Sequence, residues 1–171
     1  MSAVVGGAAV GSEVVERFLA DADATVQLAQ ALARTAPTPA VVLLHGDLGA
    51  GKSTLARAWL RALGVTGPIR SPTYTLVERY PLADGAEALH LDLYRIGDGA
   101  ELEFLGLDDA DAALWLVEWP ERGEGALPAA DLRIDLSISG DGRACRLTGM
   151  SAASHCWLAA LTSGQPLAAP T

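Results

Sequence analysis

A nine-residue motif, Gly46 to Thr54, constrains the fold of this chain more than any other feature. It matches the phosphate-binding template G-x-x-x-x-G-K-[ST]. In a chain of this composition, chance would produce such a match on the order of once in a thousand sequences. The template forms a phosphate site only where a β-strand leads into the loop and an α-helix follows it. The motif therefore predicts a strand, a loop and a helix in that order.

The residues on both sides of the motif carry the patterns that this context requires. The apolar run 40–44 predicts a strand that is covered on both faces. After Lys52, the spacing of Leu55 and Trp59 predicts a helix, and Gly64 is typical of its end. The alternative is a glycine-rich strand-to-helix turn without a ligand, and the flanking patterns disfavour it.

Further elements are predicted from periodicity. Asp23 is expected to cap a helix that ends before Pro37. The capping-box spacing from Asp98 to Glu101 predicts a short helix through Leu105. The buried face of the first helix is expected to comprise Val26, Ala29, Gln30 and Ala33. Strands are expected at 75–80, 88–94, 113–117, 132–138 and 143–148, with a hairpin formed by the first two and another by the last two.

Length and charge bound the class of protein. The 171 residues, 50% of them hydrophobic, suffice for one domain with a substantial core. A net charge of −9 argues against direct binding to DNA, to RNA or to an anionic membrane, so any RNA would come through a partner. Neither a signal peptide nor a membrane span is visible, so we expect a cytoplasmic protein. Cys145 and Cys156 are expected to be free thiols.

The ends of the chain differ in composition from its body. Residues 1–11 and 162–171 lack usable periodicity and are expected to be loose. The phosphate-loop domain is expected at 12–149. The remaining residues, 150–171, are expected to form an extension with a short helix at 151–161 and a flexible tail.

The loop residues suit the phosphates of a nucleotide. Glycines allow successive backbone N–H groups to face inward, and the following helix places its positive end behind the phosphates. Lys52 is the only lysine among 12 basic residues, which favours a role that needs a slim ammonium. The Ser53 hydroxyl is expected to ligate Mg²⁺, and Thr54 to bind an inner phosphate. The candidate binding residues here are Asp47, Leu48, Gly49, Ala50, Gly51, Lys52, Ser53 and Thr54.

Two carboxylates are candidates to assist the magnesium. Glu118 ends the apolar run 113–117, at the carboxyl end of an expected parallel strand, where ligands of such sheets gather. Asp92 shares one strand face with His90 and Tyr94. Its alternative role is an exposed or capping carboxylate.

Three other residues are weaker candidates. Thr73 lies in a hydroxyl-rich segment, 71–75, where phosphate-loop proteins carry a switch that reports the outer phosphate, although an ordinary polar connection is equally compatible. Trp119 follows Glu118 and is expected at the nucleotide rim. His90 is expected to hydrogen-bond near Asp92.

Five segments together resemble the bacterial TsaE family, the small P-loop ATPase of tRNA threonylcarbamoyladenosine synthesis. They are the motif at 46–54, Ser-Pro-Thr-Tyr-Thr-Leu-Val-Glu at 71–78, His-Leu-Asp-Leu-Tyr-Arg at 90–95, Glu-Leu-Glu-Phe-Leu-Gly at 101–106 and Leu-Val-Glu-Trp-Pro at 116–120. The resemblance covers roughly residues 12–149. Ser53 stands where the family often has threonine, which keeps the hydroxyl.

The resemblance implies an α/β fold: a P-loop NTPase-like central parallel sheet with antiparallel flanking strands and helices on both faces. It also implies slow hydrolysis of ATP with Mg²⁺ by a protein that acts on the complex of TsaB and TsaD. That complex modifies adenosine 37 of tRNA. The chain would meet tRNA only through that complex. By position, it assigns Lys52, Ser53 and Thr54 to phosphate and Mg²⁺, Thr73 to the switch-like segment, Asp92 and Glu118 to metal binding and hydrolysis, and Trp119 to the nucleotide rim. It leaves open which carboxylate is the main metal ligand or base.

Two other functions share the phosphate loop. A small-molecule kinase would need an acceptor site and a lid bearing several arginines, and no such arginine cluster follows the loop helix. A nucleotide-sensing adaptor would bind without hydrolysis and act by docking. Glu118 separates the adaptor from a hydrolysing protein, because the adaptor does not need its carboxylate for catalysis.

Overall fold

The strands of the protein form one sheet. In the computed structural model, which describes residues 13–107 and 111–163, the strands are β1 Val14–Leu19, β2 Ala40–His45, β3 Val77–Pro81, β4 Glu87–Asp92, β5 Ala112–Glu118, β6 Leu132–Ser139 and β7 Gly142–Gly149. Their order across the sheet is β1-β7-β6-β2-β5-β4-β3. The segment 1–11 and the tail from 164 onward, both expected to be loose, lie outside the described residues.

The centre of the sheet is parallel and its flanks are antiparallel. Strand β2 pairs in parallel with β5 and β6, and β5 pairs in parallel with β4. Strands β7 and β1 continue the sheet antiparallel on one side, and β3 does so on the other. Both predicted hairpins and the predicted α/β fold class are confirmed. The predicted strand 75–80 begins late, at Val77, because Leu76 has a left-handed φ of 64°.

Three α-helices of the described residues pack against one face of this sheet, namely α1 Ala22–Thr35, α2 Lys52–Ala62 and α3 Ala152–Ser163. Leu55 and Trp59 of α2 are fully buried, as their spacing predicts. Trp59 meets Trp157 of α3 edge to face, with ring centroids 5.9 Å apart. The helix predicted at 151–161 is present as α3. Residues 162 and 163, expected to be loose, also belong to it.

Two predicted details of α1 are wrong. The cap is Asp21, whose side chain accepts a hydrogen bond from the N–H of Ala24 at 2.8 Å, and Asp23 lies in the first turn. The buried stripe is Thr25, Leu28, Ala29, Leu32 and Thr35, whereas Val26 and Gln30 are exposed. Both stripes have the same spacing, but they differ by one residue, or about 100° around the helix. The stripe with two leucines buries more apolar surface.

The opposite face of the parallel strands is covered by shorter elements. A 3₁₀ helix at Gly99–Leu105 has the predicted capping box between Asp98 and Glu101, and a second follows at Pro120–Gly123. Side chains of β4 and β5 on this face form a second core cluster with Leu102 and Leu107. Strands β2, β4 and β5 are thus largely buried on both faces, whereas β6 is partly exposed on one face. No helix in the described part of the chain has the length and apolar character to cross a membrane.

Candidate functional site

The loop between β2 and α2 depends on glycine at defined positions. Gly46, Gly49 and Gly51 have φ values of 145°, 79° and 106°, which side chains rarely allow. A Cβ on Gly46 would also collide with the carbonyl oxygen of Leu136. Left-handed residues within such a loop let neighbouring N–H groups converge on one centre.

Helix α2 begins with unsatisfied N–H groups. Its N-cap is Gly51, no side chain among the described residues caps it, and its first turn contains no acidic residue. The free N–H groups and the helix dipole make this end attractive to an anion.

Lys52 lies at the centre of the loop with only 5% of its surface exposed. Its Nζ donates hydrogen bonds to the carbonyl oxygens of Gly46 and, at 3.0 Å, Asp47. The ammonium also lies 4.1 Å from the ring centroid of Trp119. Burial lowers the pKa of Lys52, and the nearby carboxylates of Glu118 and Asp92 oppose that shift. An additional anion in the loop would favour the ammonium.

The two predicted carboxylates are neighbours. Asp92 and Glu118 end the parallel strands β4 and β5, and they face each other in register. Their exposed fractions are 5% and 2%. Glu118 Oε2 accepts a hydrogen bond from Ser53 Oγ at 2.8 Å, which joins the end of β5 to the first turn of α2. The burial of Asp92 argues against its alternative role as an exposed carboxylate.

Asp92 connects the hydroxyl-rich segment to the end of β4. Its Oδ2 accepts a hydrogen bond from Thr73 Oγ1 at 3.0 Å, and its Oδ1 accepts one from the N–H of Tyr94 at 3.0 Å. Thr73 Oγ1 in turn lies 2.8 Å from Ser71 Oγ. A displacement of this segment would therefore be felt directly by the Asp92 carboxylate.

Trp119 lies at the mouth of the site in a left-handed conformation, with a φ of 56°. Its ring packs on Tyr94 with the centroids 4.9 Å apart. Together with the contact to Lys52, this places the indole over the loop and only partly in the core.

A cleft of about 270 Å³ brings most of the predicted site residues together. It is lined by Leu48, Gly49, Gly51, Lys52, Ser53, Thr54, Thr73, Asp92, Tyr94, Glu118, Trp119 and Arg143. Two residues of the predicted phosphate loop do not line it. Ala50 is 1% exposed and packs into the core, and Asp47 contributes its carbonyl oxygen to Lys52. A groove of about 1040 Å³ on the β1, β6 and β7 strands contains none of the predicted residues.

Two contacts were missed by sequence reasoning. His90, expected near Asp92, instead places its Nε2 2.7 Å from Glu118 Oε1. Arg143 Nη2 donates a hydrogen bond to the carbonyl oxygen of Gly49 at 3.1 Å. Each contact depends on how distant strands align, which no local pattern reports.

The charges in the cleft suit an anion that carries a divalent cation. Lys52 and Arg143 are positive, whereas Asp92 and Glu118 are negative and buried beside them. A bare polyphosphate would be repelled by these carboxylates. Oxygen atoms of Ser53 and Glu118, with phosphate oxygens, are the ligands that Mg²⁺ prefers. The residues present could therefore hold a magnesium-bound polyphosphate.

Comparison with known proteins gives a consistent result. Residues 19–145 match the family model described as "Threonylcarbamoyl adenosine biosynthesis protein TsaE". A Haemophilus influenzae protein named tRNA threonylcarbamoyladenosine biosynthesis protein TsaE is 48% identical over 105 residues, which are 60% of this chain and 66% of that protein, just under two thirds of its length. A Rickettsia bellii protein of the same name is 33% identical over 136 residues, covering 78% of this chain and 94% of that protein.

A solved structure also resembles this fold. The crystal structure of YdiB from Bacillus subtilis superposes with a TM-score of 0.75 and 26% sequence identity. The match covers 91% of this chain and 99% of that chain. The likeness therefore includes the sheet and the helices that form the cleft.

Proposed function

Since the chain belongs to the TsaE family of threonylcarbamoyl adenosine biosynthesis proteins, we propose that it binds ATP with Mg²⁺ in the cleft and hydrolyses it for the complex of TsaB and TsaD. In this proposal TsaD transfers the threonylcarbamoyl group to adenosine 37 of tRNA, and ATP turnover by this chain resets the TsaB–TsaD pair. Contact with tRNA is indirect, which agrees with the net charge of −9. The observation that carries the proposal is the hydrogen bond from Ser53, at the end of the phosphate loop, to Glu118, at the end of β5, in a chain of this family.

Phosphate binding falls to the loop and the first turn of α2. The N–H groups that lack partners at the start of α2 would receive phosphate oxygens. Lys52 would exchange its two carbonyl partners, Gly46 and Asp47, for the outer phosphates, with which its charge is better matched. Thr54 would hydrogen-bond an inner phosphate.

Ser53 and Glu118 would hold the cation. Because Glu118 accepts the hydroxyl hydrogen of Ser53, the oxygen lone pairs of Ser53 are free to face the cleft. Ser53 and Glu118 would hold Mg²⁺ there, and its charge would offset the negative charge that develops on the phosphates during transfer. The carboxylate of Glu118 lies within reach of the same position, either directly or through water.

Asp92 and Thr73 would orient the attacking water. The Thr73 hydroxyl is held by Asp92, and both line the same cleft as Lys52. A change at the outer phosphate would be passed to segment 71–75 through this pair. Trp119 would border the nucleotide, where it already covers the Lys52 ammonium.

The test is ATP hydrolysis by a reconstituted mixture of this chain with TsaB and TsaD. Glu118→Ala is expected to lower multiple-turnover hydrolysis by about 100-fold while docking survives, because a ligand of the cation that stabilises the transferring phosphate is lost. Glu124→Ala, which removes an exposed carboxylate, is the matched control and should leave hydrolysis unchanged. If Glu118→Ala docks and hydrolyses ATP as the wild type does, the catalytic assignment of Glu118 is wrong. A wild-type protein that docks without any ATP hydrolysis would be a nucleotide-sensing adaptor, and the proposal would be wrong.

A second measurement separates the proposal from a small-molecule kinase. Tagged protein is used to capture partners from its native cytoplasm in the presence of ATP or ADP. Recovery of TsaB and TsaD is expected. Recovery of neither protein, together with phosphorylation of a metabolite, would favour the kinase.

A further inference from the structure

A completely buried histidine holds the carboxylate that faces Ser53. His90 is 0% exposed, and its Nε2 lies 2.7 Å from Glu118 Oε1. The other oxygen of Glu118, Oε2, accepts the hydrogen of Ser53 Oγ at 2.8 Å. Each carboxylate oxygen thus has a separate partner, one from β4 and one from α2.

The second ring nitrogen identifies the tautomer. Nδ1 of His90 is buried and has no hydrogen-bond partner among the described residues. A hydrogen on Nδ1 would be an unpaired buried donor, and it would leave Nε2 as an acceptor facing a carboxylate. A hydrogen on Nε2 points at Glu118 Oε1. The geometry therefore favours the tautomer with hydrogen on Nε2.

Strand register makes this contact rigid. His90 pairs with Leu116 of β5, two residues before Glu118, so the ring and the carboxylate extend from adjacent strands of the parallel centre. Glu118 is itself 2% exposed, which leaves little water to replace the imidazole. A free glutamate has several rotamers of similar energy, and a buried donor selects one of them.

We infer that His90 is a positioning residue, whose Nε2–H holds Glu118 in the orientation that presents Oε2 to Ser53 and to a divalent cation bound beside it. The inference rests on the proposed function for the cation, whereas the tautomer concerns the free protein alone. His90 does not touch the nucleotide; it acts through Glu118. Loss of the donor should weaken the cation and spare the phosphate loop.

The experiment compares His90→Phe, which keeps the volume of the ring and removes the donor, with His90→Gln, which retains an N–H donor on a side chain of similar reach. His155→Phe, on α3, is the control for a histidine outside the site. Binding of a fluorescent ADP is measured over a series of Mg²⁺ concentrations and in EDTA, and the thermal midpoint is recorded for each variant.

In His90→Phe, the Mg²⁺ concentration that gives half of the full enhancement of binding should rise about 10-fold or more. His90→Gln should recover most of this loss, and binding in EDTA should be the same in all variants. A merely structural role would lower the thermal midpoint and weaken binding in EDTA and in Mg²⁺ alike. An unchanged Mg²⁺ requirement in a folded His90→Phe protein would overturn the inference.

The tautomer of the wild-type protein is tested independently by ¹⁵N–¹H correlation spectra of the imidazole. Hydrogen on Nε2 is expected, and hydrogen on Nδ1 would overturn the inference even if His90→Phe fails to fold. If the wild type binds no nucleotide at any Mg²⁺ concentration, the proposed function fails and the tautomer still decides the role of His90.

Discussion

The parallel half of the sheet, β2, β4 and β5, differs in its placement of polar side chains from the antiparallel half, in which β6, β7 and β1 pair antiparallel with one another. In β4 and β5 almost every residue is buried, because elements cover both faces, and the polar groups Asp92 and Glu118 stand at the strand ends. In β7, buried and more exposed residues largely alternate, and the charged side chain of Arg146 lies on the open face beside those of Arg133 and Asp135 from β6. Strands β4 and β5 carry their buried polar groups at the carboxyl end or, for His90, two residues before it, whereas half-open strands spread charge over a surface.

The largest expected effect concerns the end of the parallel half. Lys52→Ala should lower the affinity for ATP with Mg²⁺ at least about 100-fold, because charge-assisted hydrogen bonds to phosphate are lost. The fold should be preserved, since burial disfavours the Lys52 ammonium in the free protein and lowers its pKa. The control is Arg57→Ala, which removes an exposed side chain from the same helix. Calorimetric titration measures the affinity of both variants for ATP with Mg²⁺. Equal affinities for Lys52→Ala and the wild type would refute a phosphate role for the loop.

The next largest effect is a difference between the two halves in the cost of truncating an apolar side chain. Leu116 in β5 is 0% exposed, and Leu116→Ala is expected to lower the free energy of unfolding by about 3 kcal/mol. Ile138 in β6 is 62% exposed, and Ile138→Ala should cost less than about 1 kcal/mol. Denaturant unfolding measures both. Similar costs would mean that the open face is covered in solution.

The pH dependence of the free energy of unfolding tests the burial of Cys145, on the covered face of β7. Burial raises the pKa of Cys145 to about 12, whereas an unfolded thiol ionises near 9.0. Between these values the unfolded chain releases a proton that the folded protein keeps, so the free energy of unfolding falls as the pH rises. At a pH of about 10.5 the loss should be about 2 kcal/mol greater in the wild type than in Cys145→Ala. Parallel pH profiles for the two proteins would show that Cys145 is accessible to water.

The smallest effect is expected for the open face itself. Glu16 and Arg146 form an ion pair at 2.7 Å, but their side chains are 66% and 59% exposed. A double-mutant cycle with Glu16→Gln and Arg146→Gln should give a coupling of about 0.5 kcal/mol or less. A coupling above about 2 kcal/mol would mean that this surface excludes water as the core does.

The same contrast explains what the sequence could predict. The strand, loop and helix around Lys52 were predictable because an apolar run, a glycine motif and a helical spacing agree locally. Glu118 was predictable as a strand end because its apolar run stops there. The partner of His90 was not, because it depends on the register between β4 and β5. The contact from Arg143 to Gly49 joins residues that are 94 positions apart, and no local pattern marks it.

Helix α1 shows a different limit. Two stripes with identical spacing run along this helix, one residue apart. The spacing alone therefore does not show which stripe is buried. Burial of Leu28 and Leu32 against the sheet selects the observed stripe. Tertiary packing, which sequence periodicity alone does not report, therefore set the face.

The most direct test of the central claim is a crystal structure of the protein with a non-hydrolysable ATP analogue and Mg²⁺. The account predicts phosphate oxygens within about 3 Å of Lys52 Nζ and of the N–H groups that begin α2, with the cation beside Ser53 and Glu118. A loop that stays empty at saturating analogue, or a nucleotide bound elsewhere on the protein, would contradict it.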